Sequence, residues 1–447
     1  MSTLRSEART SFLLAYPVMI SMLGQVMTGV ADSVMIGWTG AIPLAAASLA
    51  NSFFTVLLFF GIGVSYAITP LVAEASGSGD SGKIKDTLRH GFVINITTGL
   101  LLVGLVIAGQ GLVHHMQQPV EVVELAIPYL LIITYSIVPT MIFQTFRQFA
   151  EGLQRTRMAM VIMIVSNLVN IVLNYLLIYG IWIFPEMGLA GAGWATFISR
   201  VVMAVWMGLY VFYGKRFQAY RDAFFHGTWA GSLFNKMLHI GIPAGAQFIF
   251  EAAAFGSSAI MMGWLGATTL AAHQIALNLA TVSYMTTSGL GAAATIRVGI
   301  FFGQRDRIAV RRSGFALIGL AVLFMLGWGI AFIVGRHLLP SLYIDDPAVL
   351  AAAVPLMIIA GFFQMSDGMQ VVCAGALRGL QDVKIPSLLI FIAYWVIALP
   401  LGYFLAFPLG FGAIGIWTGL LMGLTLTAAA MIVRFNYLSR KIAAPIP

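Results

Sequence analysis

Charge is what this sequence has least of: 9% of its 447 residues are Asp, Glu, Lys or Arg, against roughly a quarter in an ordinary soluble domain. So sparse a set cannot cover a folded surface in water. Cysteine is almost missing as well. Cys373 is the only one and lies inside an apolar run, which excludes intrachain disulfides and cysteine-based metal sites. Neither a His-Glu-x-x-His helix nor paired Asp-rich prenyl-diphosphate motifs occur, so the sequence reads as a non-enzyme with no cofactor. The net charge of +8 does not point to nucleic acid, because the basic residues sit in short loops between apolar runs rather than along one soluble face.

What is abundant is apolar: 60% of residues are hydrophobic, in runs of about twenty that recur from Ser11 to Val433, the length needed to cross a bilayer. Twelve segments are expected, centred near Gly24, Phe59, Leu102, Ile133, Val165, Val202, Ala252, Val282, Ala321, Ala360, Ile392 and Gly423. The first follows Arg5 and Arg9 but runs past signal-peptide length without a cleavage pattern, so it reads as a retained membrane helix. All but Arg200 and Arg336 of the 24 Lys and Arg residues fall on one side of the resulting topology. Basic residues near helix ends are held in the cytoplasm, so both termini are expected there.

The sequence also repeats. Shifted by about 226 positions it aligns Pro17 with Pro243, Met35-Ile36-Gly37-Trp38 with Met261-Met262-Gly263-Trp264, and Gly63 and Thr69 with Gly289 and Thr295. With a slightly larger offset Gly152-Leu153-Gln154 meets Gly379-Leu380-Gln381. Each half holds six segments, an even number, so the halves are parallel repeats. The expected organisation is an amino-terminal lobe at 1–214, a cytoplasmic linker at 215–235 and a carboxy-terminal lobe at 236–447.

An acid inside a membrane helix costs roughly 3 kcal/mol unless paired, protonated or hydrated, and is a functional candidate by default. Asp32, Glu251 and Asp367 qualify, and none has an acidic counterpart in the other half: they align with Ser258, Gln25 and, roughly, Thr140. Asn167, Asn170 and Asn174 on segment 5 and Thr196 on segment 6 add polar oxygens; Asn170 and Asn174 share a helical face. Such groups beside a carboxylate either form a proton-accepting network, supply hard oxygen ligands to a small cation, or merely join helices. Pro17 and Pro243 mark bends or static kinks upstream of an acid. Glu74 reads as a solvated helix end, Arg200 as structural, and His273 as packing rather than a proton shuttle.

The stretches Gly24-Gln25, Val30-Ala31-Asp32-Ser33-Val34-Met35-Ile36-Gly37, Ala271-Ala272-His273-Gln274-Ile275-Ala276-Leu277-Asn278 and Ala374-Gly375-Ala376-Leu377-Arg378-Gly379 together resemble the signatures of multidrug and toxic compound extrusion transporters. Glu251 and Asp367 make the chain similar to the NorM-like bacterial branch. The resemblance implies an all-α membrane protein of twelve transmembrane helices in two six-helix lobes forming a V-shaped central cavity. It also implies a monomer in the bacterial inner membrane that exports small organic cations, hence drug resistance, by antiport against H+ or Na+. It assigns Asp32, Asn170, Asn174 and Thr196 to an amino-lobe cation or proton network, Glu251 and Asp367 to a carboxy-lobe cation site, and Pro17 to helix bending. Gln25, Asp345 and Asp346 become substrate-cavity candidates, the last two competing with a helix-capping role. Na+ at either acid cluster is open, but Phe363 replaces the tyrosine that some Na+-coupled relatives carry one turn before the helix-10 acid. A flippase for a lipid-linked precursor is the alternative; it would need several basic residues to hold a phosphate, and Arg200 alone lies within a segment.

Overall fold

The computed structural model describes residues 4–115, 118–220, 224 and 229–442, and they are nearly all helical. Twelve long helices are present among them: α1 Leu4–Gly37, α2 Ala41–Ser78, α3 Ser81–Gly109, α4 Val120–Gly152, α5 Arg157–Tyr179, α6 Gly188–Tyr213, α7 Gly231–Trp264, α8 Ala267–Gly303, α9 Arg307–Val334, α10 Pro347–Gly379, α11 Lys384–Ala406 and α12 Gly412–Arg440. Eleven are long and apolar enough to span a membrane. The other, α8, has the length, with 37 residues, but its threonines and serines, His273, Gln274 and Asn278 dilute its hydropathy. The chain is a multi-pass membrane protein.

Proline explains three irregularities. An interior proline removes the hydrogen bond to the carbonyl four residues earlier. Thus α2 breaks at Tyr66–Ala67, ahead of Pro70, and α4 breaks at Ser136, ahead of Pro139. Ahead of Pro400, α11 widens into a π-helical stretch, Ile392–Ala398.

By internal contacts the chain forms two units. One comprises Ile20–Gly245, the other Met1–Met19 with Ala246–Pro447. The boundaries therefore fall inside α1 and α7 rather than at the expected 214/215 and 235/236. Residues 221–223 and 225–228 of the expected linker, Arg221 among them, lie outside the described residues. Close backbone packing accounts for these boundaries. A Cβ on Gly63 of α2 would lie 2.5 Å from Gly245 Cα, so only glycine lets α2 meet the first half of α7. At the repeat-related place, a Cβ on Gly289 of α8 would lie 2.7 Å from the Met19 nitrogen and 2.8 Å from Ala15 O. The chain thus leaves each unit two residues after Pro17 and Pro243.

In the Ile20–Gly245 unit the core gathers Met35, Leu58, Tyr129, Ile133 and Met141; in the other it gathers Ala15, Met19, Leu290, Phe363 and Trp417. The duplication reaches individual hydrogen bonds. Asp80 Oδ1 accepts from Lys83 N at 2.9 Å to cap α3, and Asp306 Oδ1 accepts from Ala309 N at 2.9 Å to cap α9. Thr69 Oγ1 donates to Gln148 O at 3.0 Å and Thr295 Oγ1 to Gly375 O at 2.9 Å.

Candidate functional site

Within the Ile20–Gly245 unit the structure brings Asp32, Asn170, Asn174 and Thr196 together. Asn170 and Asn174, one turn apart on α5, face α1 because their neighbours Leu168, Ile171 and Val172 point outward. Asn174 Nδ2 donates to Asp32 Oδ1 at 2.5 Å and reaches Asn170 Oδ1 at 3.3 Å. Asn170 Nδ2 donates to Thr196 Oγ1 at 3.4 Å, and Thr196 Oγ1 to Asp32 Oδ2 at 3.5 Å. These four side chains close a ring in which both oxygens of Asp32 accept, the arrangement suited to a carboxylate. Asn174 is fully buried, and its own Oδ1 has no hydrogen-bond partner.

Around the ring sit further groups, of which sequence reasoning passed over Tyr129. Arg200 on α6 interacts electrostatically with Asp32; its guanidinium donates to Ser136 Oγ at 2.7 Å and lies 4.9 Å from the centre of the Phe54 ring. Tyr129 on α4 hydrogen-bonds Asn51 and lies in electrostatic range of both Asp32 and Arg200. Asn167 has a different job: its Nδ2 donates to Gly24 O at 2.8 Å and fastens α5 to α1. Gln25 is half-buried on α1, two turns before Asp32.

In the other unit Glu251 on α7 and Asp367 on α10 are both buried and interact electrostatically. Gln370 Nε2 donates to Glu251 Oε1 at 2.9 Å, and Gln247 Nε2 reaches the same oxygen at 3.5 Å. Tyr394 on α11 lies in electrostatic range of both acids. Spacing could have found the two glutamines, since Gln247 precedes Glu251 by four residues and Gln370 follows Asp367 by three, placing each on its acid's face. Nothing in the sequence marked Tyr394.

Asp345 and Asp346 do not join either cluster. Both are exposed at the start of α10, about 30 Å of helix from Asp367, and Asp346 Oδ1 caps the helix by accepting from Ala348 N at 2.8 Å. His273 is fully buried and accepts from Trp417 Nε1 at 3.1 Å through Nδ1, while Trp417 also packs against Phe363. The other ring nitrogen, Nε2, is buried without a hydrogen-bond partner. Glu74 is paired with Lys83 at 2.8 Å and with Lys236 at 3.8 Å. Among the described residues no group of three or more His, Cys, Asp or Glu is placed to hold a metal ion, so any cation here would rely on carboxylate, amide and hydroxyl oxygens.

The MatE family profile matches residues 17–176 and again 243–404, the two matches beginning at the paired prolines. A probable multidrug resistance protein NorM of Rhizobium meliloti is 35% identical over 98% of this chain and 94% of its own. A multidrug resistance protein NorM of Photobacterium profundum is 33% identical over 98% and 97%. Among solved structures, a MATE protein in complex with MaL6 superposes with a TM-score of 0.90 at 19% identity, over 98% of this chain and 97% of that one. A eukaryotic MATE transporter does so with a TM-score of 0.87 at 18% identity, over 98% of both chains. The helices, the doubled profile match and the full-length relatives agree: this chain belongs to the MatE (multidrug and toxic compound extrusion) family, in its NorM-like bacterial branch.

Proposed function

We propose that the chain is a secondary active antiporter of the bacterial inner membrane, with both termini cytoplasmic, that exports small amphipathic organic cations in exchange for H+ or Na+. The observation that carries this reading is the closed ring around Asp32, whose N–H and O–H donors all lead to the two oxygens of one acid inside a membrane helix. Such an acid is costly and serves best where its charge state changes during a cycle. As a carboxylate it satisfies the ring as found. Once it takes up a proton it must donate instead, and Asn174 Oδ1 is a buried acceptor ready to receive that bond after the amide turns over. A small cation would instead draw on the oxygens of Asp32, Thr196 and Asn174.

Arg200 keeps the site from carrying an uncompensated negative charge; a proton or a small cation taken up at Asp32 each adds one positive charge, so charge alone does not choose between them. Glu251 and Asp367 form a second acidic locus that attracts a cationic substrate or coupling ion. Transport requires that ion and drug favour different conformations, since a ligand with equal affinity for both shifts nothing. Pro17 and Pro243, each two residues before the chain leaves one unit for the other, are where α1 and α7 can bend. Ethidium efflux from vesicles with independently imposed pH and Na+ gradients tests the reading: one gradient should drive efflux, and indifference to both would refute antiport.

A further inference from the structure

The second acid cluster contains an oxygen without a job. Gln370 is 2% exposed, and its Nε2 donates to Glu251, yet its Oε1 is buried with no hydrogen-bond partner. A structural amide in a membrane core places both ends. While Glu251 is a carboxylate, turning this one over would point oxygen at oxygen, so in that state the orphan oxygen stays beside the acid. The repeat-related unit has the same arrangement around a different acid: Asn174 Nδ2 donates to Asp32 and Asn174 Oδ1 is buried and unpartnered. Two amides from different helices thus pair N–H with carboxylate and leave a carbonyl oxygen free.

The amide of Gln370 has a second neighbour, the Tyr394 phenol, which lies within interaction range of its side chain. Tyr394 reaches it from the π-helical stretch of α11. Tyr394 is 1% exposed and lies in electrostatic range of Glu251 and Asp367, and its neighbour Trp395 donates Nε1–H to Phe250 O, the residue before Glu251, at 3.1 Å. Single π turns of this kind recur at functional sites.

We infer that Gln370 is a ligand of the carboxy-half site, offering its amide oxygen with Glu251 and Asp367 to a monovalent cation, and that Tyr394 is a positioning residue that holds this amide in register. Carboxylate, amide and phenol oxygens suit a hard monovalent cation such as Na+, and the Phe255 ring, packed against Tyr394 with centroids 5.8 Å apart, suits an organic cation. The inference rests on the proposed attraction of a cation to Glu251 and Asp367.

The test is binding of Na+ and, separately, of tetraphenylphosphonium to the purified full chain. Gln370→Met keeps volume and removes the oxygen; Gln370→Glu keeps an oxygen and adds charge. A ligand role predicts at least about tenfold weaker binding of one or both cations for Gln370→Met, binding no weaker than wild type for Gln370→Glu, and a smaller loss for Tyr394→Phe. A packing role predicts the reverse order, with Gln370→Met unchanged. Loss with Na+ alone identifies a coupling-ion site; loss with tetraphenylphosphonium alone identifies a site for the exported compound. Unchanged binding in Gln370→Met, or a wild type that binds neither cation, overturns the inference. If Gln370→Met does not fold, Gln370→Asn, which withdraws the oxygen by one methylene, is read the same way. Failure of the efflux reading is a separate result, seen as wild-type vesicles that extrude no ethidium.

Discussion

Gly63→Ala is the substitution whose cost the structure specifies most directly. Its new Cβ would lie 2.5 Å from Gly245 Cα, 2.7 Å from Gly245 N and 2.8 Å from Ala244 O. All three are backbone atoms, so no side chain can swing aside; ordinary contact at about 3.4 Å requires α2 and α7 to separate by nearly 1 Å. Overpacking of this size costs about 1–3 kcal/mol. The same change at Gly29 or Gly104 meets nothing within 4 Å and should recover up to about 1 kcal/mol of helix propensity. At roughly 2–4 °C per kcal/mol for a unit of about 200 residues, Gly63→Ala should melt several degrees below wild type in detergent, and Gly29→Ala and Gly104→Ala at or above it. Because the contact pins α7 just before the chain leaves the unit, efflux should slow as well. Equal melting of Gly63→Ala and Gly104→Ala would refute the packing account.

Other outcomes follow from single contacts. Arg297 pairs with the buried Glu7, so Glu7→Leu should lower the melting temperature, because an ion stripped of its partner costs about 3–5 kcal/mol when buried. Adding Arg297→Leu should restore most of the loss, and a double variant no better than the single would contradict the pairing. At the start of α10, Asp346→Ala should cost about 1 kcal/mol through the lost cap, whereas Asp345→Ala should not, as thermal melting of both would show. Asn167→Ala should destabilise by removing the tie to Gly24 O without altering ethidium binding; a selective loss of binding would place Asn167 in the site.

Much was legible because a bilayer leaves few choices. Apolar length gave the helices, and the shift of about 226 positions gave a duplication that the Thr69 and Thr295 bonds match atom for atom. Asp32 with Asn170, Asn174 and Thr196 was readable because buried polar groups in membrane helices must meet one another. The partners of Arg200 were not legible because its stem lets the head point several ways, and only coordinates show it donating to Ser136 within electrostatic range of Asp32. Tyr394 was not singled out because a tyrosine in an apolar run carries no mark of its own; only the coordinates set it beside Glu251, Asp367 and Gln370. The unit boundaries within α1 and α7 escaped because hydropathy follows helices, whereas Gly63 and Gly289 decide what those helices touch.

The most direct test of the central claim is ethidium efflux from inside-defined vesicles bearing wild type or Asp32→Asn in equal, folded amounts, under imposed pH and Na+ gradients. The substitution keeps the shape of the side chain and ends its ability to alternate between charged and neutral forms. The account predicts gradient-driven efflux by wild type and none by Asp32→Asn under either gradient, with ethidium binding retained. Undiminished gradient-driven efflux by Asp32→Asn would contradict it.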